Sequence, residues 1–144
     1  MRQIEAFDTT VQKTNLWLKG IMDQEGWGDR HRAYLALRAV LHALRDRLGL
    51  EEAVQLGAEL PMLVRGFYFD GWNPSGKPDR IRSKEEFLHR ITKELPIDPG
   101  LDPEHLARSV FSLLDEKISE GEIEDIKATL PKEIRALWPE RGHA

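Results

Sequence analysis

The sequence predicts an all-α protein on three observations. Apolar residues recur at three- and four-residue steps, helix-starting and helix-stopping residues punctuate them, and no segment alternates at the two-residue period of a strand. In the first segment Thr9 and Gln12 have capping-box spacing, Val11, Leu18, Ile21 and Met22 share a stripe, and Gly26-Trp27-Gly28 ends the helix. A second helix opens near Asp29 and turns Tyr34, Leu37, Leu41, Leu44 and Leu48 inward until Gly49 breaks it. Glu51 and Glu52 bring negative charge to the positive start of a third, short helix ending at Leu60. Pro61 lacks the N–H a helix interior needs, but it fits the first turn of a fourth helix through Met62, Leu63, Val64 and Phe67.

Residues 70–83, DGWNPSGKPDRIRS, carry glycine, proline and asparagine without helical periodicity and read as a linker. Ser83 and Glu86 form a second capping box, opening a helix with Phe87, Leu88, Ile91 and Leu95 on its apolar side. Asp102-Pro103 supplies the N-cap and first-turn proline of the next, which buries Leu106, Val110, Leu113, Leu114 and Ile118. Helices are expected over 122–130 and 131–138.

Sliding the chain by 70 residues lays Arg38–Tyr68 on Arg108–Trp138 without a gap. Leu44 falls on Leu114, Glu52 on Glu122, Leu60-Pro61 on Leu130-Pro131 and Arg65 on Arg135. The expectation is a single domain over 1–144, built from two four-helix repeats at about 7–70 and 84–139. A pseudo-twofold axis would relate the repeats, each covering the apolar face that the other cannot bury alone. Polar residues kept in both copies serve the unit's fold more readily than a single site. Arg38/Arg108, Glu52/Glu122 and Arg65/Arg135 are therefore expected to tie helices together around the Leu-Pro corners by Arg–carboxylate or Arg-to-carbonyl bonds.

The composition suits one compact domain: 144 residues, 40% hydrophobic and 32% charged. The absence of cysteine removes disulfides, thiolate metal sites and cysteine nucleophiles, and favours a reducing compartment, the cytoplasm. No apolar run is long enough to span a membrane, and the first ten residues lack the apolar stretch of a signal peptide. A net charge of −4 disfavours general nucleic-acid binding, although residues 29–47 are arginine-rich and residues 94–128 hold ten acids against three bases.

Leu60-Pro61, Arg65-Gly66-Phe67-Tyr68, Gly71-Trp72, Gly121-Glu122, Leu130-Pro131 and Leu137-Trp138 together resemble the domain of unknown function 2267 family, over almost the whole chain. The resemblance implies a small bacterial helical protein without an assigned activity. It carries over no catalytic residues.

The most unusual stretch runs from Arg65 to Trp72, with Phe67, Tyr68 and Phe69 in a row and Asp70 beside them. Arg65, Phe67, Tyr68, Asp70 and Trp72 are the candidate binding residues, for a protein partner or a small anionic ligand. The same rings also suit packing between the two halves. The alternative is a small enzyme or metal-dependent protein using Glu86, His89 and His42, since Glu86 and His89 give one Glu-x-x-His spacing on a helix. His31 and His105 complete the histidines considered for such a site. A His-Glu-x-x-His pair, a nucleophile elbow and a complete Gly-x-x-x-x-Gly-Lys-Ser/Thr phosphate-cradling loop are all missing. The sequence therefore assigns no catalytic residue, metal ligand or cofactor, and leans towards a non-enzymatic interaction or ligand-binding module.

Overall fold

A computed structural model describes residues 3–140; residues 1–2 and 141–144 of the expected 1–144 domain lie outside the described part. The described residues are all-helical: α1 (Glu5–Glu25), α2 (Arg30–Arg47), α3 (Leu50–Glu59), α4 (Met62–Phe69), α5 (Lys84–Lys93), α6 (Pro103–Lys117), α7 (Glu120–Thr129) and α8 (Lys132–Arg135). No described helix is long and apolar enough to cross a membrane.

The ends of these helices follow from their cap residues. Asp29 accepts the His31 N–H at 2.9 Å, Ser83 accepts that of Glu86 at 3.1 Å, and Asp102 accepts those of Glu104 and His105 at 3.1 Å each. Gly26 stops α1 with φ +73°, a conformation that costs a glycine little, and the Trp27 N–H reaches back to the Met22 carbonyl at 2.9 Å.

Two expectations about ends are corrected. α1 begins at Glu5, so Thr9 lies inside the helix and caps nothing; Val11 is exposed, and Thr10, Thr14, Trp17, Leu18 and Ile21 form the buried stripe. Thr10 earns its burial by accepting the Leu63 N–H at the start of α4, at 2.9 Å. The last helix stops at Arg135 rather than Trp138. The N–H groups of Leu137 and Trp138 bond three residues back, to Ile134 and Arg135, in a tightened final turn, because Pro139 drives the residue before it out of the α region.

α2 is buried nearly all round, from Ala33 through Arg45, and packs against α1, α4, α5 and α6. α6 packs against α1, α2, α5 and α7. Phe111 on α6 stacks flat on Trp138, centroids 4.3 Å apart and planes 9° apart, with Phe87 on its other flank at 5.9 Å. In α3, Gly57 leaves room for the Phe69 ring of α4, since a Cβ there would meet Phe69 Cζ at 2.6 Å.

The linker is non-helical as expected but firmly held. Asp79 N–H donates to the Asp46 carbonyl at 2.8 Å, Arg47 Nε donates to the Ile81 carbonyl at 2.7 Å, and Asp79 pairs with Lys77 and Arg90. Ile81 itself joins the core.

Candidate functional site

The residues from Arg65 to Trp72 hold the fold together at the end of α4. Arg65 donates to the carbonyls of Gly57 (2.9 Å), Ala58 (3.3 Å) and Leu60 (3.1 Å), satisfying the last turn of α3. Tyr68 is fully buried and donates to the Ala53 carbonyl at 2.7 Å; burial holds its phenol well above the ordinary range, so it stays a neutral donor. Phe67 meets Tyr34 edge-on at 5.2 Å, Trp72 lies 5.3 Å from Phe69, and Asp70 takes the Arg38 guanidinium at 2.9 Å. Of the five candidates, Arg65 and Asp70 are exposed, Phe67 and Trp72 half-buried, and Tyr68 out of reach of any partner.

The polar pairs kept at the 70-residue spacing diverge in what they touch. Arg108 reaches the Ala136 carbonyl at 3.1 Å, much as Arg38 reaches the end of α4, but Arg135 is exposed and makes no side-chain hydrogen bond among the described residues. Glu52 and Glu122, expected to meet arginine, meet each other.

Each of the two glutamates is the third residue of its helix, the position from which a capping-box carboxylate would fold back onto the helix start. In α7 that role is taken from outside. Glu59, at the end of α3, accepts both the backbone N–H and the hydroxyl of Ser119 at 2.8 Å each. Glu122 is thereby released, only 7% exposed, towards Glu52; neither carboxylate's Oε2 has a hydrogen-bond partner within the protein. Burial first, then the Glu52 charge, push the Glu122 carboxyl up to about 8. The positive end of α7 opposes that rise, but a helix terminus is worth only about 0.3–1 kcal/mol and loses to desolvation beside a like charge.

Asp125, one turn on and exposed, completes a group of three in which one ligand atom from each residue lies within 4.8 Å of the others. Among the described residues this is the group placed to hold a metal ion, and it includes none of Glu86, His89 and His42. His89 and Glu86 are exposed on α5. His42 is buried, with Nδ1 against the Glu94 carboxylate at 2.8 Å and Nε2 against the Phe67 carbonyl at 2.7 Å, so both ring nitrogens are engaged within the fold. His105 bonds Glu25 at 2.6 Å, tying α6 to α1.

Two concavities flank the α1–α2 corner and share Trp27 as a wall. One, of about 280 Å³, is lined mainly by Trp27, Arg32, Leu35, Leu95, Ile97 and Leu101. The other, of about 590 Å³, lies between α1 and Arg30 and includes Leu16, Lys19 and Met22. The Arg32 guanidinium rests over the Trp27 ring at 3.9 Å and pairs with Asp98 at 2.6 Å.

The profile of a family described as "Uncharacterized conserved protein (DUF2267)" matches residues 14–137. The chain belongs to this family. No curated protein matches it.

The match spans the motifs that carry the sequence resemblance, from Leu60-Pro61 to Leu130-Pro131, and both glutamates of the buried pair. In this DUF2267 chain sequence reasoning passed over Arg45. It is buried with Nε on Asp46 (2.8 Å) and one terminal nitrogen on the Tyr68 (2.8 Å) and Asp70 (3.1 Å) carbonyls, capping α4. Its position four residues after Leu41, inside the apolar stripe of α2, was the available signal. For Asp125 and Trp27 the sequence carried none, because both gain their surroundings from residues distant along the chain.

Proposed function

We propose that this DUF2267 chain is a non-enzymatic interaction module that receives apolar side chains of a protein partner on either side of Trp27. The observation that carries this reading is the shared Trp27 wall, with Leu16 60% exposed beside one concavity and Ile97 100% exposed beside the other. A half-buried indole between two hollows, with Leu16 and Met22 on one side and Leu35, Leu95 and Ile97 on the other, is the arrangement that concentrates binding energy in protein interfaces. The Arg32 charge is already engaged by Asp98 and the Trp27 ring, which leaves the first hollow apolar and argues for a side chain over an anionic ligand. At about 280 Å³ that hollow takes one or two side chains, below the usual range for cofactor sites. The Arg65–Trp72 stretch enters this reading as support for α2 rather than as the contact surface. The cysteine-free sequence favours the cytoplasm as the place of action.

The internal duplication belongs to the same proposal. Its support is the 70-residue register together with the meeting of Glu52 and Glu122, since residues equivalent by a twofold axis touch one another only beside that axis.

Affinity capture from the native host, followed by calorimetry with the purified partner, tests the interaction. The Leu16→Asp/Ile97→Asp double variant changes only exposed side chains, so it keeps the wild-type unfolding temperature and is expected to bind at least about tenfold more weakly, a loss of about 1.4 kcal/mol. Equal affinity of variant and wild type, or no saturable partner for the wild type, would sink the reading.

A further inference from the structure

The geometry points to a hard divalent-cation site, suited to Ca²⁺, at the α3–α7 contact, formed by Glu52, Glu122 and Asp125. The donors are all carboxylate oxygens, which select hard cations such as Ca²⁺, Mg²⁺ or Mn²⁺ over the thiolate- and imidazole-seeking metals. Ligand number and flexibility then separate the hard ions. Three carboxylates on two helices suit Ca²⁺, which takes many oxygens in flexible geometry, over Mg²⁺, which demands a near-ideal octahedron and is usually held by one or two carboxylates and waters.

An acidic cluster on a surface would carry no such weight, because exposed carboxylates are solvated and need nothing further. Here Glu122 is 7% exposed, its Oε2 is buried without a hydrogen-bond partner, and the same is true of Glu52 Oε2. Two carboxylate oxygens withdrawn from water and facing each other require a positive occupant, either a shared proton or a cation. Asp125 is exposed, which gives the site a solvent-facing side through which an ion enters with its waters and completes the six to eight oxygens Ca²⁺ prefers. Glu59, held on Ser119, adds a further negative charge close enough to act on Glu122. An ion bound here would link α3 to α7, and with them the two halves of the chain.

The experiment uses the full chain, freed of metal with a chelator and titrated separately with CaCl₂ and MgCl₂, by calorimetry and by thermal unfolding. The expected result is one Ca²⁺ per chain, a rise in unfolding temperature with Ca²⁺, and at least about tenfold weaker binding of Mg²⁺. Asp125→Asn, an exposed change that keeps the fold, is expected to weaken Ca²⁺ at least about tenfold, a factor worth about 1.4 kcal/mol. Glu52→Gln/Glu122→Gln is expected to abolish binding while leaving the far-ultraviolet spectrum unchanged. Absence of binding at millimolar Ca²⁺ would overturn the proposal and leave a shared proton as the sole occupant. Binding that survives both variants would overturn it in favour of adventitious surface carboxylates.

Discussion

Raising the pH of the metal-free protein should destabilise it through Glu122, and the size of the effect can be worked out. The folded chain holds the Glu122 proton up to about 8, whereas the unfolded chain releases it near 4.5. Between these values the folded state binds more protons than the unfolded state, so stability is fully present below pH 4.5 and falls as pH rises through the window. At about 1.4 kcal/mol per pH unit the whole span sets a ceiling of about 5 kcal/mol, of which about 3 is already lost at pH 7. Coupling to Glu52 spreads the loss over a broader range than one isolated group would show. Urea unfolding at pH 5, 7 and 9 with chelator present measures it, and Glu122→Gln isolates the group, because an amide titrates nowhere in the window. The wild type should weaken progressively relative to the variant, with Glu122→Gln the more stable of the two at pH 9. Parallel curves for wild type and variant, or a wild type that gains on the variant as pH rises, would refute the reasoning.

Phe111→Ala removes a ring stacked at 4.3 Å on Trp138 and leaves a cavity in the core, so a loss of about 3–5 kcal/mol is expected in denaturant unfolding; a loss under about 1 kcal/mol would mean that the site collapses freely. Arg65→Ala strips three carbonyls at the end of α3 of their donor and should cost about 1–3 kcal/mol, while Arg135→Ala should stay within about 0.5 kcal/mol. Equal effects of the two would contradict their different surroundings. Gly57→Ala sets a helix-propensity gain of about 1 kcal/mol against an overpacking cost of about 1–3 kcal/mol from the Phe69 ring, so a lower unfolding temperature is expected. A raised one would show that the ring yields.

The helices were legible because their signals are local. Asp29, Ser83 and Asp102 announce helix starts by residue type, and Gly26 announces a stop. Errors arose where tertiary contacts replace local ones. Thr9 and Gln12 have the right spacing for a cap, but the polar residue that matters is Thr10, which serves the backbone of α4. The 70-residue register singled out Glu52 and Glu122 but not their contact with each other, because a register in sequence reveals which positions recur and not which positions meet. The Arg65–Trp72 aromatics looked like a surface, since composition cannot distinguish a ring that plugs the core, as Tyr68 does, from one that waits for a ligand. Trp27 and Ile97, 70 positions apart in sequence, become neighbours only when the loop after α5 folds beside the α1–α2 corner.

The cap on α7 has a consequence for how the molecule comes apart. Its cap residue Ser119, which accepts the Glu122 N–H at 3.4 Å, is itself held by Glu59, 60 residues earlier in the chain, so the start of α7 is fully fixed only when α3 is in place. Fraying of α7 and departure of α3 thus become a single cooperative event rather than two independent openings. Amide protons of both segments should then exchange with solvent at one shared rate, making a foldon of two pieces that the chain keeps 60 residues apart.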